Sequence, residues 1–430
     1  IMNLPLNHLI RIKILDLARG TNQLWVYRQY LKDQYKYDSK VITRYQEARF
    51  GHIFRHHLQK NKAYREFLAE NGYRESSHIH PSDIPMVTKD FFRNNPGSHF
   101  IKEDVHITKH SGGTTGVPLP VHLSRPAVDN FWPAIWRAFD VYGVQPCDKV
   151  MMIAGTSLFN NRSFGRRMYD FVNRFTVLSA FDLSADRLEH AYKYILRHGI
   201  RVIYGYTSSI LVFLDFLEKN GLRLDLKCIF TTSETFIPAV RRLARLCCNC
   251  DVVDTYGAND GGIFGFECAH HNGYHLNFER CFVEIIDNEI ICTDLFNTAS
   301  PFIRYRVGDY TDSDRLITDQ CSCGRTLFRI ENISGKVNQF IEDVDHVKIH
   351  CGFFTQLFKA DNLIKQYQVH QKKYKLVVNI LHDNVKDEIY FREKYTESIR
   401  RRFKMPFEIV FNQPVKRLPN MKTAILIKEP

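Results

Sequence analysis

With 430 residues, 44% of them hydrophobic and 25% charged, the chain has the makeup of a folded globular protein with room for two or more domains, which excludes a disordered or fibrous class. The formal net charge of +12 favours anionic ligands, but the basic residues are scattered with no run of five or more, so the clustered face of a nucleic-acid binder is not expected. No stretch approaches the roughly 20 uninterrupted apolar residues of a membrane-spanning helix, and IMNLPLNHLIRIKILDLARG at the start is too often broken by charge for a signal peptide, so a cytoplasmic protein is expected.

In chain order, Val41 to about Tyr73 is predicted helical, as one helix or two, because Tyr45, Phe50, Ile53, Phe54 and Leu58 keep one apolar face. Lys60-Asn61-Lys62 and Asn71-Gly72 punctuate it. Pro81 to Asp90 reads as a loop opening a short helix, with Thr88 able to cap the turn that carries Phe91 and Phe92. Next comes HSGGTTGVPLPVHLSR at 110–125, the composition of a loop that wraps polyphosphate and then becomes a strand. Glycine lets the backbone approach an anion, and Thr114 and Thr115 can donate to phosphate oxygens. By itself the same composition also suits a polar turn.

Between Val150 and Gly257 short apolar runs alternate with helical periodicity. Val150–Ala154, Ile200–Tyr204, Cys228–Thr232 and Asp251–Thr255 read as strands. Ser184 caps a helix that Gly199 ends, Thr207-Ser208-Ser209 caps a helix running through Leu217 to a terminal Gly221, and Pro238 to Leu246 supplies another. This alternation predicts a parallel sheet with crossover helices. Ligands on such sheets bind at the C-terminal ends of strands, where Gly205-Tyr206-Thr207, Ser233-Glu234-Thr235 and Tyr256-Gly257-Ala258-Asn259-Asp260 fall. Cys247, Cys248 and Cys250 read as core.

From Tyr274 the pattern turns to β, with an antiparallel hairpin of Phe282–Ile286 and Glu289–Thr293 around a turn at Asp287-Asn288. Past Gly335 follow a strand at Val347–Ile349, a helix at Phe353–Leu363, a strand at Tyr374–Leu381, a helix at Ile389–Phe403 and a strand at Phe407–Val410. The predicted class is α/β: a large N-terminal domain, 1–335, with a parallel α/β sheet and a β-rich subdomain, then a small mobile α+β domain, 336–430, with the boundary at Gly335 to Gln339.

SGGTTGVP at 111–118, YGAND at 256–260, FIRYRVGDYT at 302–311 and CSCGRTLFRIENISGK at 321–336 stand in an order that resembles the adenylate-forming (AMP-forming) ligase superfamily, within it the phenylacetate-coenzyme A ligase group and its capsule-biosynthesis relatives. The resemblance spans most of the chain. It implies that Ser111, Gly112, Gly113, Thr114, Thr115 and Gly116 hold the β and γ phosphates of ATP. It implies further that Tyr256 and Gly257 line the adenine and acyl pocket, that Asp260 binds Mg²⁺, that Asp309 accepts the ribose hydroxyls, and that Ser233 and Glu234 contact the adenine side. Lys336 keeps the charge of the boundary motif. Lys422, in Pro419-Asn420-Met421-Lys422-Thr423, matches the lysine that completes adenylation. The chain departs from the family pattern in lacking a basic residue after the glycine-rich loop, where Val117-Pro118-Leu119 stands, in the ending Asn259-Asp260, in Asn338-Gln339 at the boundary, and in Met421 before the lysine.

Eleven cysteines, odd in number and irregularly spaced, fit reduced thiols and a metal site better than a disulfide framework. Cys268 and His275 flank a polar loop, and Cys321 and Cys323 form a tight pair some fifty residues later. Three thiols and an imidazole suit tetrahedral Zn²⁺ in a closed, structural site, and the resemblance implies zinc at matching places. His270 and His271 are rival ligands, and free thiols in a β-rich subdomain are the alternative.

The function expected is ATP-dependent activation of a small-molecule carboxylic acid to an acyl-adenylate and pyrophosphate, followed by transfer to coenzyme A or to an amine or hydroxyl in glycan biosynthesis. The acid pocket is expected around Tyr204-Gly205-Tyr206, Ala258 and Phe264. The alternative is a catalytically degenerate nucleotide-binding or scaffold protein of the same fold.

Overall fold

Strand and helix alternate between Val150 and Gly257, as the apolar runs dictate. The computed structural model describes all residues except 1–3, 77–78, 111–118, 155–163, 181, 337–339, 345–347, 359–360, 362, 374, 418–422 and 430. The chain divides into two compact units: Ile1–Lys149, Asn161–Thr176 and Val253–Ile333 form one, and Val150–Asn160, Val177–Val252 and Ser334–Pro430 the other.

In the second unit the strands Val150–Ala154, Val202–Tyr206 and Cys228–Thr232 pair in parallel, with Val202–Tyr206 between the other two. Every position in them is buried, which is why they read as continuous apolar runs and not as alternation. The helices Ala185–His198, Thr207–Lys219 and Pro238–Cys248 bring Ile195, Phe213, Leu217, Leu243 and Cys247 into one core with Ile203 and Ile229. Gly199 takes the left-handed conformation and closes its helix onto the carbonyls of Ile195 and Leu196, as its position predicts. The helix after it begins at Thr207 itself, so Tyr206 stands at the cap position, and Ser208 is left to bond elsewhere. Cys247, Cys248 and Cys250 are buried, as expected.

The same unit holds the C-terminal residues. Their four-stranded sheet runs Phe407–Phe411, Lys375–Leu381, Gln366–Lys372, Leu426–Lys428, with the central pair antiparallel and each outer pair parallel. Phe354 from the helix Gly352–Phe358 and Phe391 and Ile399 from the helix Asp387–Arg402 cover Val378 and Ile380. The first of these helices is described over Gly352–Phe358, and residues 359–360 and 362 of the expected helix lie outside the described residues. The strand Gln366–Lys372 is an addition to the sequence reading. Its polar residues concealed it, because Gln368 is fully buried and bonds the carbonyls of Lys416 and Ala424.

In the first unit, five α-helices among the described residues, Leu6–Arg19, Gln23–Asp33, Ser39–Lys60, Lys62–Glu70 and Lys89–Asn94, precede the β structure. Strands Cys281–Ile286, Glu289–Asp294 and Tyr305–Tyr310 form an antiparallel run. Its first turn is the expected Asp287-Asn288 pair, both at positive φ, 50° and 62°, as a two-residue hairpin matched to strand twist requires. Thr255–Gly257 pair antiparallel with Phe264–Phe266, and Phe264–Glu267 in turn with Tyr274–Leu276. The hairpin of Ile107–His110 and Pro120–Leu123 brackets residues 111–118. Phe54, Phe92, Val121, Ile290, Phe302 and Tyr305 centre the core. Among the described residues no helix is long and apolar enough to cross a membrane.

Candidate functional site

Asp309 lies in an irregularity of the strand Tyr305–Tyr310. Its partner strand pairs Ile291 with Arg306 but Glu289 with Tyr310, so the ladder shifts between them. Gly308, at φ +79°, opens the bulge. A bulge re-aims the side chains it carries, and here the Asp309 carboxylate accepts a hydrogen bond from the Tyr256 hydroxyl at 2.8 Å through Oδ2. Burial, then the adjacent Asp309 charge, push the Tyr256 phenol well above its ordinary pKa, so it stays a protonated donor.

Asp260 is held in a parallel way. The Tyr305 hydroxyl donates to its Oδ2 at 2.8 Å, and the Lys89 ammonium stands 3.7 Å from the same oxygen. Burial raises the Tyr305 phenol first, and the Asp260 charge adds to it. The turn after Asp260 is fixed by close approach: a Cβ on Gly261 would lie 2.3 Å from the Cys292 sulfur, and one on Gly262 2.4 Å from Asp294 Oδ2. Only glycine fits there, and both φ angles are positive. Asp260 and Asp309 are each only 6% exposed, two buried carboxylates each anchored by a phenol. Asp260 is a hard oxygen donor, the chemistry Mg²⁺ takes alongside substrate phosphates.

Neither Lys89 nor the anchoring role of Tyr305 was expected from the sequence. Tyr305 lies inside a motif read for its aspartate, and Lys89 sits at the first turn of a short helix with no spacing that marks it. Of the expected acid-pocket residues, Tyr204 and Tyr206 are buried in their parallel strand, Tyr206 against Ala154 and Ala180, while Phe264 is buried and Ala258 half-buried.

In the other unit, Ser233 and Glu234 follow the C-terminal end of the parallel strand Cys228–Thr232. Ser233 sits at φ +69°, unusual for a residue with a side chain. Glu234 Oε2 accepts from the Ser208 N–H at 2.7 Å, and Oε1 from the Ser208 hydroxyl at 3.0 Å and the Thr423 N–H at 2.8 Å. Ser111, Gly112, Gly113, Thr114, Thr115, Gly116, Asn338, Gln339 and Lys422 lie outside the described residues, as does the side chain of Lys336.

Cys268, His275, Cys321 and Cys323 come together, each offering one ligand atom, all within 4.8 Å of one another. The Cys268 and Cys321 sulfurs are 3.9 Å apart, and Cys323 Sγ is 3.6 Å from His275 Nε2. A tetrahedral Zn²⁺ with Zn–S of about 2.3 Å and Zn–N of about 2.05 Å sets these separations at about 3.8 and 3.5 Å, so the four side chains fit the ion. The Cys268 thiol and the His275 ring hold Cys323 toward its thiolate, while burial keeps His275 toward its neutral form. The rival His271 turns its Nδ1 to Glu267 Oε2 at 3.2 Å.

No family model matches the chain. The chain is 20% identical to the protein CapK of Staphylococcus aureus over 400 residues, 89% of this chain and 88% of that protein. It is 23% identical to a phenylacetate-coenzyme A ligase of Pseudomonas putida over 360 residues, 77% of this chain and 78% of the ligase. Its fold matches a 2-hydroxyisobutyryl-CoA ligase in complex with an acyl-AMP, with a TM-score of 0.69 at 16% identity over 89% of each chain. Together with the four ordered motifs, these likenesses support a resemblance to the adenylate-forming ligase superfamily.

Proposed function

We propose that the protein activates a carboxylic acid with ATP and then transfers the acyl group. A carboxylate oxygen of the acid attacks the α-phosphorus, the bond from that phosphorus to the bridging oxygen breaks, and pyrophosphate leaves. A nucleophile then attacks the acyl carbon, loses its proton and displaces AMP. The acceptor is the thiol of coenzyme A or an amine or hydroxyl in glycan biosynthesis. The likeness to a phenylacetate-coenzyme A ligase and to a 2-hydroxyisobutyryl-CoA ligase favours the thiol, and a 28% identity over 114 residues to an indoleacetate–lysine synthetase of Pseudomonas savastanoi keeps an amine in play.

The observation that carries this reading is the pair of phenol-anchored carboxylates. Asp309, held by Tyr256, accepts the ribose hydroxyls, a role for a fixed, buried acceptor. Asp260, held by Tyr305, is the ligand for Mg²⁺, which would neutralise phosphate charge. Residues Ser111 to Gly116 cradle the β and γ phosphates through backbone amides and hydroxyls. Lys422 stabilises the charge that develops as pyrophosphate departs. The catalytic work is positioning and charge stabilisation, with no covalent intermediate on the protein. Residues 336–430 form the lid that carries Lys422, with its boundary at Gly335 to Gln339. Cys268, His275, Cys321 and Cys323 hold a structural Zn²⁺, a closed set with no position left for water.

ATP-dependent incorporation of labelled pyrophosphate into ATP, run with phenylacetate, indoleacetate and 2-hydroxyisobutyrate as acids, tests the reading. A second reading, a nucleotide-binding protein without turnover, is favoured by the Lys89 ammonium beside Asp260, which competes with a metal ion for that oxygen. It predicts thermal stabilisation by ATP with no pyrophosphate exchange for any acid.

A further inference from the structure

Within the first unit, four cations gather at two aromatic rings. The Lys109 ammonium, from the strand Ile107–His110, lies 3.2 Å from the centre of the Phe131 ring, and the Arg280 guanidinium carbon lies 5.4 Å from the same centre. The guanidinium carbons of Arg19 and Arg166 lie 4.0 and 5.4 Å from the centre of the Tyr169 ring, on the helix Phe164–Asn173. A ring quadrupole draws each cation but carries no net charge, so the repulsion among them stands.

Counter-charges are few. Arg166 is paired with Asp170 at 2.9 Å. Among the described residues, Lys109, Arg280 and Arg19 form no ion pair. Arg280 is the most telling of the three. It is only 2% exposed, and its Nε and Nη2 are buried with no hydrogen-bond partner, a state that folded proteins rarely leave in place. Glu279, the residue before it, is taken by Arg137. Asp294 feels the Arg280 charge, but its Oδ1 accepts from the Phe296 N–H at 3.0 Å and burial pushes its carboxyl toward the uncharged form. At Lys109, burial and then the positive charges of Arg280, Arg19 and Arg166 lower the pKa from 10.5 to about 7.

We infer that Lys109, Arg280 and Arg19 form a binding site for a doubly charged oxyanion, a phosphoryl group carried free or as a monoester. Three unpaired cations exceed what one carboxylate offsets, and they suit the charge of about −1.5 to −2 that a phosphate monoester carries at neutral pH. A guanidinium offers a planar fork to two phosphate oxygens, and an ammonium adds a point charge. Both backbones are fixed before any ligand arrives. Lys109 pairs with Val121 across its hairpin, and the Arg280 carbonyl accepts from the Leu295 N–H at 2.9 Å. Asp260 and Asp309 take their hydrogen bonds from Tyr305 and Tyr256 and share no partner with these cations, so the site does not depend on the ligase reading.

The test uses the whole chain, as wild type, Arg280→Gln, Lys109→Met, Asp309→Ala and, as a control at an exposed lysine, Lys62→Met. Inorganic phosphate, glycerol 3-phosphate and acetate are titrated by calorimetry at one ionic strength, set with chloride. Wild type, Lys62→Met and Asp309→Ala bind the phosphates and not acetate. Loss of hydrogen bonds to a charged group makes binding to Arg280→Gln about 10- to 100-fold weaker. The tighter of the two phosphates shows whether the free ion or a monoester is the ligand. Melting temperatures separate binding from a structural role. Phosphate raises that of wild type and leaves that of Lys109→Met unmoved, while without phosphate Lys109→Met melts no lower than wild type, because an unpaired ammonium among like charges has been removed. A wild type that responds to neither phosphate, undiminished binding in Arg280→Gln, or acetate bound as well as phosphate overturns the proposal. So does loss of phosphate binding in Asp309→Ala, since the ion would then sit with the nucleotide. Absence of pyrophosphate exchange, the failure of the ligase reading, leaves every one of these expectations in place.

Discussion

At the scale of single residues, the site is built from acceptors whose donors cannot ionise. The Tyr256 and Tyr305 phenols are buried beside carboxylates, and both effects keep them protonated. Each therefore donates one hydrogen bond and fixes one carboxylate oxygen. Tyr256→Phe removes the donor to Asp309 and keeps the ring. Since a hydrogen bond to a charged group contributes about 1.5–3 kcal/mol, ATP affinity measured by calorimetry is expected to fall by roughly ten- to a hundredfold. Asp309→Ala is expected to abolish the rise in melting temperature that ATP produces, whereas Lys422→Ala retains it. Asp260 and Asp309 were legible in the sequence because four motifs in order say more than any one of them. Their anchors were not, since a phenol that orients a carboxylate and a tyrosine that fills a core share the same letter and spacing. Glu234 shows the reverse: its position was legible, but its partners come from Ser208 and Thr423, which no local pattern connects to it.

At the scale of elements, the strength of each sequence signal follows from how the element is buried. The helix Ala185–His198 buries one face and ends on Gly199, so periodicity and cap agree. The N-terminal helix Leu6–Arg19 escaped notice because it buries Ile12 and Leu15 while Leu6, Ile10, Ile14 and Leu17 remain exposed, the last at 83%. Apolar residues on both faces erase the periodicity that marks a helix. The long helix Ser39–Lys60 carries a pH-sensitive element at its C-terminal end. His57 is fully buried, its Nε2 donating to the Asn297 carbonyl at 2.9 Å, and burial lowers its pKa from 6.5 to about 4. Below the unfolded value the unfolded chain binds a proton that the folded chain refuses, so stability is lost as pH falls from about 6.5 toward 4. The loss is on the order of 3 kcal/mol. Urea unfolding at stepwise pH should show this fall in wild type and a flatter profile in His57→Gln, whatever the offset between them. For the cysteine and histidine cluster, elemental analysis of protein purified without chelator is expected to give about one equivalent of zinc. Cys323→Ser lowers both that content and the melting temperature, and less than about half an equivalent in wild type contradicts the site.

At the scale of the whole molecule, composition and charge excluded classes but named none, and the alternation of strand and helix from Val150 to Gly257 announced the parallel sheet. What lay beyond reach was long-range pairing. The Gln366–Lys372 strand acquires its buried Gln368 only through carbonyls some fifty residues away. The resemblance to the adenylate-forming ligases rests on relatives that span most of the chain and on a shared fold, while the reaction proposed for this chain rests on the placement of a few side chains. That reaction has a direct signature, because adenylation runs backwards in the presence of pyrophosphate. The decisive measurement is the rate at which labelled pyrophosphate enters ATP when wild type and Asp309→Ala are supplied with MgATP and each acid of the panel in turn. Exchange that requires one of the acids and disappears in Asp309→Ala is the predicted result. An acid-independent signal, or exchange that survives in Asp309→Ala, would contradict the account.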